Sequence, residues 1–214
     1  MAKITGALLS LGGSGTIAKT VTFSKWKGRA YARQRVVPAN PNSVSQQLTR
    51  NTFSDASNIW KNMGALSIAP WNSFASGQVL TGRNAFMREY VRVLRTELDR
   101  SLMVFSPGSK GGVAPVSVSA ASGVGEATVT IVPPTPPTGW TVTSVTAIAI
   151  PNVAPDAGTD FLTVAVSDAS DPYTPIVTPL TAAVEYVIGG FVVWAKPDGT
   201  VAYGPSLNDT VTPT

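Results

Sequence analysis

The chain has 214 residues, with 16 Lys and Arg against 12 Asp and Glu, and contains neither cysteine nor histidine. Those absences exclude disulfides, thiolate metal sites, the usual zinc sets, Ser-His-Asp and Cys-His nucleophile systems and the commonest general base at neutral pH. Charge is split unevenly, since residues 1–110 hold 15 basic against 4 acidic side chains and residues 111–214 hold 1 against 8.

This split suggests two units with different surfaces. The basic half is suited to an acidic partner, either nucleic acid or the acidic half of a neighbouring copy. No run approaches the roughly 20 apolar residues that span a bilayer, so no membrane span is expected. Met1 to Leu11 is only a weak match to a signal peptide, its apolar core being broken by Thr5 and Gly6, and no cleavage is expected.

In chain order, Thr16 to Phe23 alternates as one strand, with Ile17, Lys19, Val21 and Phe23 on one side. The segment from Gly13 to Thr20 is a degenerate phosphate loop in which Ala18 stands where a glycine is needed. A β pattern, not a helix, follows it, so nucleotide hydrolysis is not expected. Lys27-Gly28 offers a reversal, and Arg29 to Val37 alternates again, completing an antiparallel β-ribbon. Arg29, Tyr31, Arg33, Arg35 and Val37 fall on one face, with the uncharged Ala30, Ala32, Gln34 and Val36 on the other, a side able to lie flat against a neighbour. Lys25, Trp26, Lys27, Arg29, Tyr31, Arg33 and Arg35 are the candidate partner-binding residues. A basic, aromatic-bearing ribbon with a lightly apolar back is built to touch a partner rather than to perform a reaction.

Beyond the extended Pro38-Ala39-Asn40-Pro41, Ser43 and Gln46 have capping-box spacing. Val44, Leu48, Phe53, Ala56, Trp60 and Met63 predict a helix over 44–63 whose stripe faces a core. A shorter helix is predicted around Trp71, capped by Ser67 with Pro70 in its first turn and closed by Gly77. A third begins at Asn84 and carries Phe86, Tyr90, Leu94 and Leu98 toward Trp60, Trp71 and Phe74. Arg88, Arg92 and Arg95 lie off that stripe, partly offset by Glu89, Glu97 and Asp99.

Residues 106–112 read as a linker. Seven short β-branched runs follow: Val113 to Ala120, Glu126 to Val132, Trp140 to Ile150, Asp160 to Ser167, Ile176 to Leu180, Val184 to Lys196 and Thr200 to Gly204. They predict an antiparallel sandwich of immunoglobulin-like or fibronectin-like type. Pro197-Asp198-Gly199 is the strongest turn signal. Asp156, Asp160, Asp168 and Asp171 match no calcium-loop spacing, and turn chemistry accounts for them equally well.

The fold expected is therefore α+β. A β-ribbon and three-helix module would span 1–105, a linker 106–112 and an immunoglobulin-like β-sandwich 113–214. Phe23 to Arg33 with its Trp-Lys-Gly, then Pro38 to Pro41, Gln46-Gln47, Arg50, Trp71-Asn72 and Gly82 to Phe86, together resemble proteins encoded by tailed bacteriophages. In those, a Trp-Lys-Gly ribbon and an Asn-Pro segment lead into small helices. The resemblance covers about residues 15 to 90. It implies a non-enzymatic virion structural protein, located on the particle, with other virion proteins as partners, self-association in an assembly and no cofactor. A capsid decoration or cement subunit gripping the shell through its ribbon is the leading expectation. A head-tail or tail component, a DNA-binding module and a carbohydrate-binding or adhesive module are the alternatives.

Overall fold

A computed structural model describes residues 15–26, 29–37, 39, 42–96, 100–152 and 164–214, except for the side chains of Lys25, Trp26, Arg29, Ala30, Arg95 and Thr96. The chain forms two compact units, residues 1–42 and 43–214.

The first unit holds strands β1 (Gly15–Ile17), β2 (Val21–Trp26) and β3 (Arg29–Gln34) in one antiparallel sheet of that order. Thr16 to Phe23 is thus not the single strand expected. Ala18 and Lys19 take φ values of 46° and 58°, and Thr20 N–H donates to the Ile17 carbonyl at 2.9 Å, closing a hairpin turn. Two non-glycine residues in the left-handed region carry no compositional turn signal, so the apolar alternation ran straight through them. β2 and β3 pair in register from Val21↔Gln34 to Trp26↔Arg29. That register leaves a two-residue connection at Lys27-Gly28, which lies outside the described residues, as does most of Pro38 to Pro41.

The second unit begins with α1 (Val44–Asn62), α2 (Ala65–Ala75) and α3 (Gly82–Thr96). Ser43 occupies the N-cap of α1 without any side-chain cap bond. The N-cap of α2 is Gly64, three residues before the expected Ser67, so Pro70 sits inside the helix and Ser67 is buried. A proline there deprives the Leu66 carbonyl of its helical partner, which is tolerable because Leu66 is on the exposed side, at 43% exposure. For α3 the cap is Thr81, whose Oγ1 accepts from Asn84 N–H at 3.3 Å, not Asn84 itself. Gly82 is required at this start, since a Cβ would lie 2.3 Å from Asn72 Oδ1 in α2. Phe86 is the hub of the helices, with its ring 5.5 Å from Trp60, 5.3 Å from Trp71 and 5.5 Å from Tyr90.

A 3₁₀ turn (Arg100–Leu102) leads into the strands β4 (Ser117–Ser122), β5 (Ala127–Val132), β6 (Thr141–Pro151), β7 (Val164–Asp168), β8 (Ile176–Val177), β9 (Tyr186–Ala195), β10 (Val201–Tyr203) and β11 (Leu207–Val211). One sheet runs β4-β5-β8; the other runs β10-β9-β6-β7, with β11 also on β9. β10 and β11 are one strand interrupted at Gly204 to Ser206, where the pairing on β9 shifts by a residue between Tyr203↔Val193 and Leu207↔Gly190. All the pairings are antiparallel. The first, second and fifth strands thus face the third, fourth, sixth and seventh, an immunoglobulin-like sandwich. Tyr186 forms the corner expected of such sandwiches, its hydroxyl accepting from Thr181 N–H at 3.0 Å.

β6 and β9 are buried on both faces. Val145, Ala147, Ala149, Ile188, Val192 and Trp194 turn toward Val129 and Ile131 of the opposite sheet, while Ile148, Ile150, Val187 and Phe191 pack with Trp71, Phe86 and Tyr90 of the helices. Residues 43–214 are therefore three layers, helices on sheet on sheet. The division expected at 106–112 is not where the compact units part, because helices and sandwich share a core. Residues 105–113 form a strap on the last strand and on β9: Ser106 Oγ donates to the Gly204 carbonyl at 2.6 Å, Ser109 N–H to the Tyr203 carbonyl at 2.8 Å, and Trp194 Nε1 of β9 to the Val113 carbonyl at 3.1 Å.

Candidate partner-binding surfaces

Tyr31 and Arg33 alternate onto one face of β3, where the Arg33 guanidinium lies 5.9 Å from the centre of the Tyr31 ring. Across from them in β2 stand Ser24 and Thr22, and Thr22 Oγ1 is 3.2 Å from Thr16 Oγ1 of β1. This face is thus rich in hydroxyls as well as positive charge, and Ile17, Val21, Phe23 and Ala32 share the opposite side. Arg35 continues the register one step past β3, its N–H donating to the Thr20 carbonyl at 2.6 Å, and its side chain is exposed. Tyr31 is 39% exposed, and Val36 and Val37 are each 74% exposed. Arg29 pairs with Trp26 and Lys25 with Ala30 in the backbone register, which sets Lys25 out of step with the Arg29, Tyr31, Arg33 series. The side chains of Lys25, Trp26 and Arg29, and the whole of Lys27, lie outside the described residues. Among the described strands β3 has a neighbour on one side only, so it presents a row of backbone N–H and C=O groups to a further strand.

The arginines of α3 behave differently from those of the ribbon. Glu89 accepts from Arg88 Nε at 3.1 Å and Arg92 Nε at 3.0 Å, so the face is partly neutralised, as its composition suggests. Glu97, Leu98 and Asp99 lie outside the described residues.

The most polar interior group is Asp55, fully buried on α1. Its Oδ2 accepts from Arg100 Nη2 at 2.6 Å and from the Tyr90 hydroxyl, while Arg100 Nη1 donates to the Pro151 carbonyl at 2.8 Å. Burial pushes the Asp55 carboxyl above its ordinary value, against the pull of the Tyr90 hydroxyl and the Arg100 charge. Burial likewise pushes the Tyr90 phenol up. A carboxylate that is wholly enclosed and bonded to an enclosed arginine has no access to substrate. It ties α1, α3, the 3₁₀ turn and the end of β6 together. Composition hid this role because Asp55 and Arg100 are 45 residues apart.

In the sandwich, Asp168 accepts from Ser170 N–H at 3.0 Å, Ser170 Oγ at 2.9 Å and Thr174 N–H at 3.0 Å, which holds its pKa below the ordinary value. That is turn chemistry. Asp156 and Asp160 lie outside the described residues, and among the described ones no group of three or more acidic side chains converges. Trp140 and Tyr173 are half-buried against the sandwich core. The Trp140 ring carries Lys196 Nζ at 4.7 Å and abuts Gly111 of the strap, where a Cβ would lie 2.4 Å away, so much of its surface is already occupied.

No protein-family model and no curated protein matches the sequence. Among solved structures, one described as a myokine structure is similar at 14% identity, covering 48% of this chain and 99% of its own, with a TM-score of 0.36. A computationally redesigned β-sandwich protein is similar at 20% identity, covering 47% of this chain and 88% of its own, with a TM-score of 0.33. The sandwich assignment rests on the strand order above, and neither likeness bears on function.

Proposed function

We propose that the protein is a non-enzymatic structural component of a tailed-bacteriophage virion, a capsid decoration or cement subunit docked through its first unit. The observation that carries this reading is the character of residues 1–42, which hold seven Lys and Arg and no Asp or Glu, in a unit where, among the described strands, β3 has a neighbour on one side only. Such an element joins a partner by two routes. β3 accepts a strand from a neighbour through main-chain hydrogen bonds, and Arg33, Arg35 and their neighbours pair with carboxylates around it. Repetition over a lattice then multiplies a modest single-site affinity. A head-tail or tail position uses the same surfaces at a different place on the particle.

Charge reversal of Arg33 and Arg35 to Glu is expected to abolish incorporation, read as copies per particle by quantitative mass spectrometry and cryo-electron microscopy. Mutant particles with a full complement would remove the ribbon as anchor. The absence of this chain from purified particles would remove the virion reading. The duplex-DNA alternative is checked on the isolated protein, where DNA binding that weakens steeply with salt would put nucleic acid in place of a protein partner.

A further inference from the structure

Phe53 stands midway along α1 with 56% of its surface exposed, although its neighbours Thr52, Asp55 and Ala56 are fully buried. On one side of its ring a groove between α1 and α3 is lined by Phe53, Met87 and Val91, with Arg83, Arg88 and Arg92 along it. A second depression along α1 is lined by Phe53, Arg50 and Lys61 with the neutral polar side chains of Ser54, Ser57 and Asn58 between them. One exposed phenyl ring thus borders two shallow grooves that hold five cations, two of which, Arg88 and Arg92, are bonded to Glu89. An aromatic ring framed by arginines has the composition of an interface hot spot.

We propose that this surface docks an acidic amphipathic helix of a partner protein, as a second attachment point independent of the β-ribbon. A groove between two packed helices accepts a third, whose apolar side chains seat on Phe53, Met87 and Val91. Carboxylates flanking that stripe meet Arg83 on one side and Lys61 on the other. The charge complementarity selects an acidic partner, and the apolar floor selects protein over nucleic acid. Phosphates gain nothing from Phe53, Met87 and Val91, and the Glu89 carboxylate between two of the arginines repels them, whereas a helix can place its own side chains around it.

The test uses the full chain and a fluorescein-labelled synthetic peptide with Leu at i, i+4, i+7 and i+11 and Glu at most other positions. A peptide of the same composition with scrambled order and a labelled DNA duplex serve as comparisons, all read by anisotropy. Saturable binding of the amphipathic peptide is expected, with the scrambled peptide at least about tenfold weaker. Phe53→Ala and Arg83→Glu are each expected to weaken binding about tenfold or more, with melting curves unchanged because both side chains are exposed. Any of three results overturns the proposal: no saturable binding, equal binding of ordered and scrambled peptides, or variants indistinguishable from the parent. Binding of the duplex alone, lost in Arg83→Glu, would reassign the surface to nucleic acid.

Discussion

Asp55 shows why a residue's chemistry follows from its surroundings. It reads as one polar position on a helix, yet it meets Arg100 in the buried interior, where each charge depends on the other. Removing one partner of such a pair leaves the second uncompensated, so Asp55→Ala is expected to destabilise by about 3–5 kcal/mol in denaturant unfolding. Replacing Asp55, Tyr90 and Arg100 together by Leu, Phe and Met removes the charged pair and the phenol hydroxyl and leaves the Pro151 carbonyl without its bond from Arg100, so most of that loss should return. Asp168 supplies a pH test. Its carboxyl is held below the ordinary 3.8 by bonds from Ser170 and Thr174. Its contribution is therefore full above that value and is lost as pH falls through the lower folded pKa. In an NMR titration the Ser170 and Thr174 amide signals should move with a midpoint below 3.8, and a midpoint at or above it would show that these bonds do not hold the carboxylate in solution.

The elements differ in how openly the chain declares them. β6 and β9 are the longest strands, with continuous apolar runs, which is the signature of a sheet covered on both faces. Their lengths were readable, but what covers the second face was not. The adjacent glycines of β9 show the fit there: a Cβ on Gly189 would lie 2.1 Å from the Phe105 ring, and one on Gly190 would lie 2.8 Å from Val118 of the opposite sheet. Gly189→Ala should accordingly cost about 1–3 kcal/mol by overpacking, and Phe105→Ala about 3–5 kcal/mol by leaving a cavity, both measured by chemical unfolding. The helix α1 teaches the opposite lesson. Hydrophobicity placed Val44 and Phe53 inward, whereas Thr52, Asp55, Ala56, Ile59 and Met63 form the buried stripe, because a polar residue with a buried partner displaces an apolar one from the inward face. The strap was misread for a related reason, since Ser, Pro and Gly suit a free linker and equally suit a segment bonded to a strand edge.

At the level of the molecule, two compact units and one shared core imply that residues 43–214 fold without residues 1–42. The shortened chain should melt within about 2 °C of the full one. It carries 9 Lys and Arg against 12 Asp and Glu, a formal charge of −3 where the whole chain has +4. It should therefore bind an anion exchanger at neutral pH where the full chain does not. A large drop in melting temperature would instead mean that the ribbon stabilises the rest. The sequence alone established the α+β class, the ribbon, three helices, nearly all the sandwich strands and the basic character of the first 42 residues, since periodicity, turn residues and charge are local properties. The folded arrangement alone revealed the hairpin at Ala18-Lys19, the helices resting on the sandwich, the strap at 105–113, the Asp55–Arg100 pair and the exposed ring of Phe53. Each of these depends on which distant surfaces meet, and that is set by packing and burial across long chain separations.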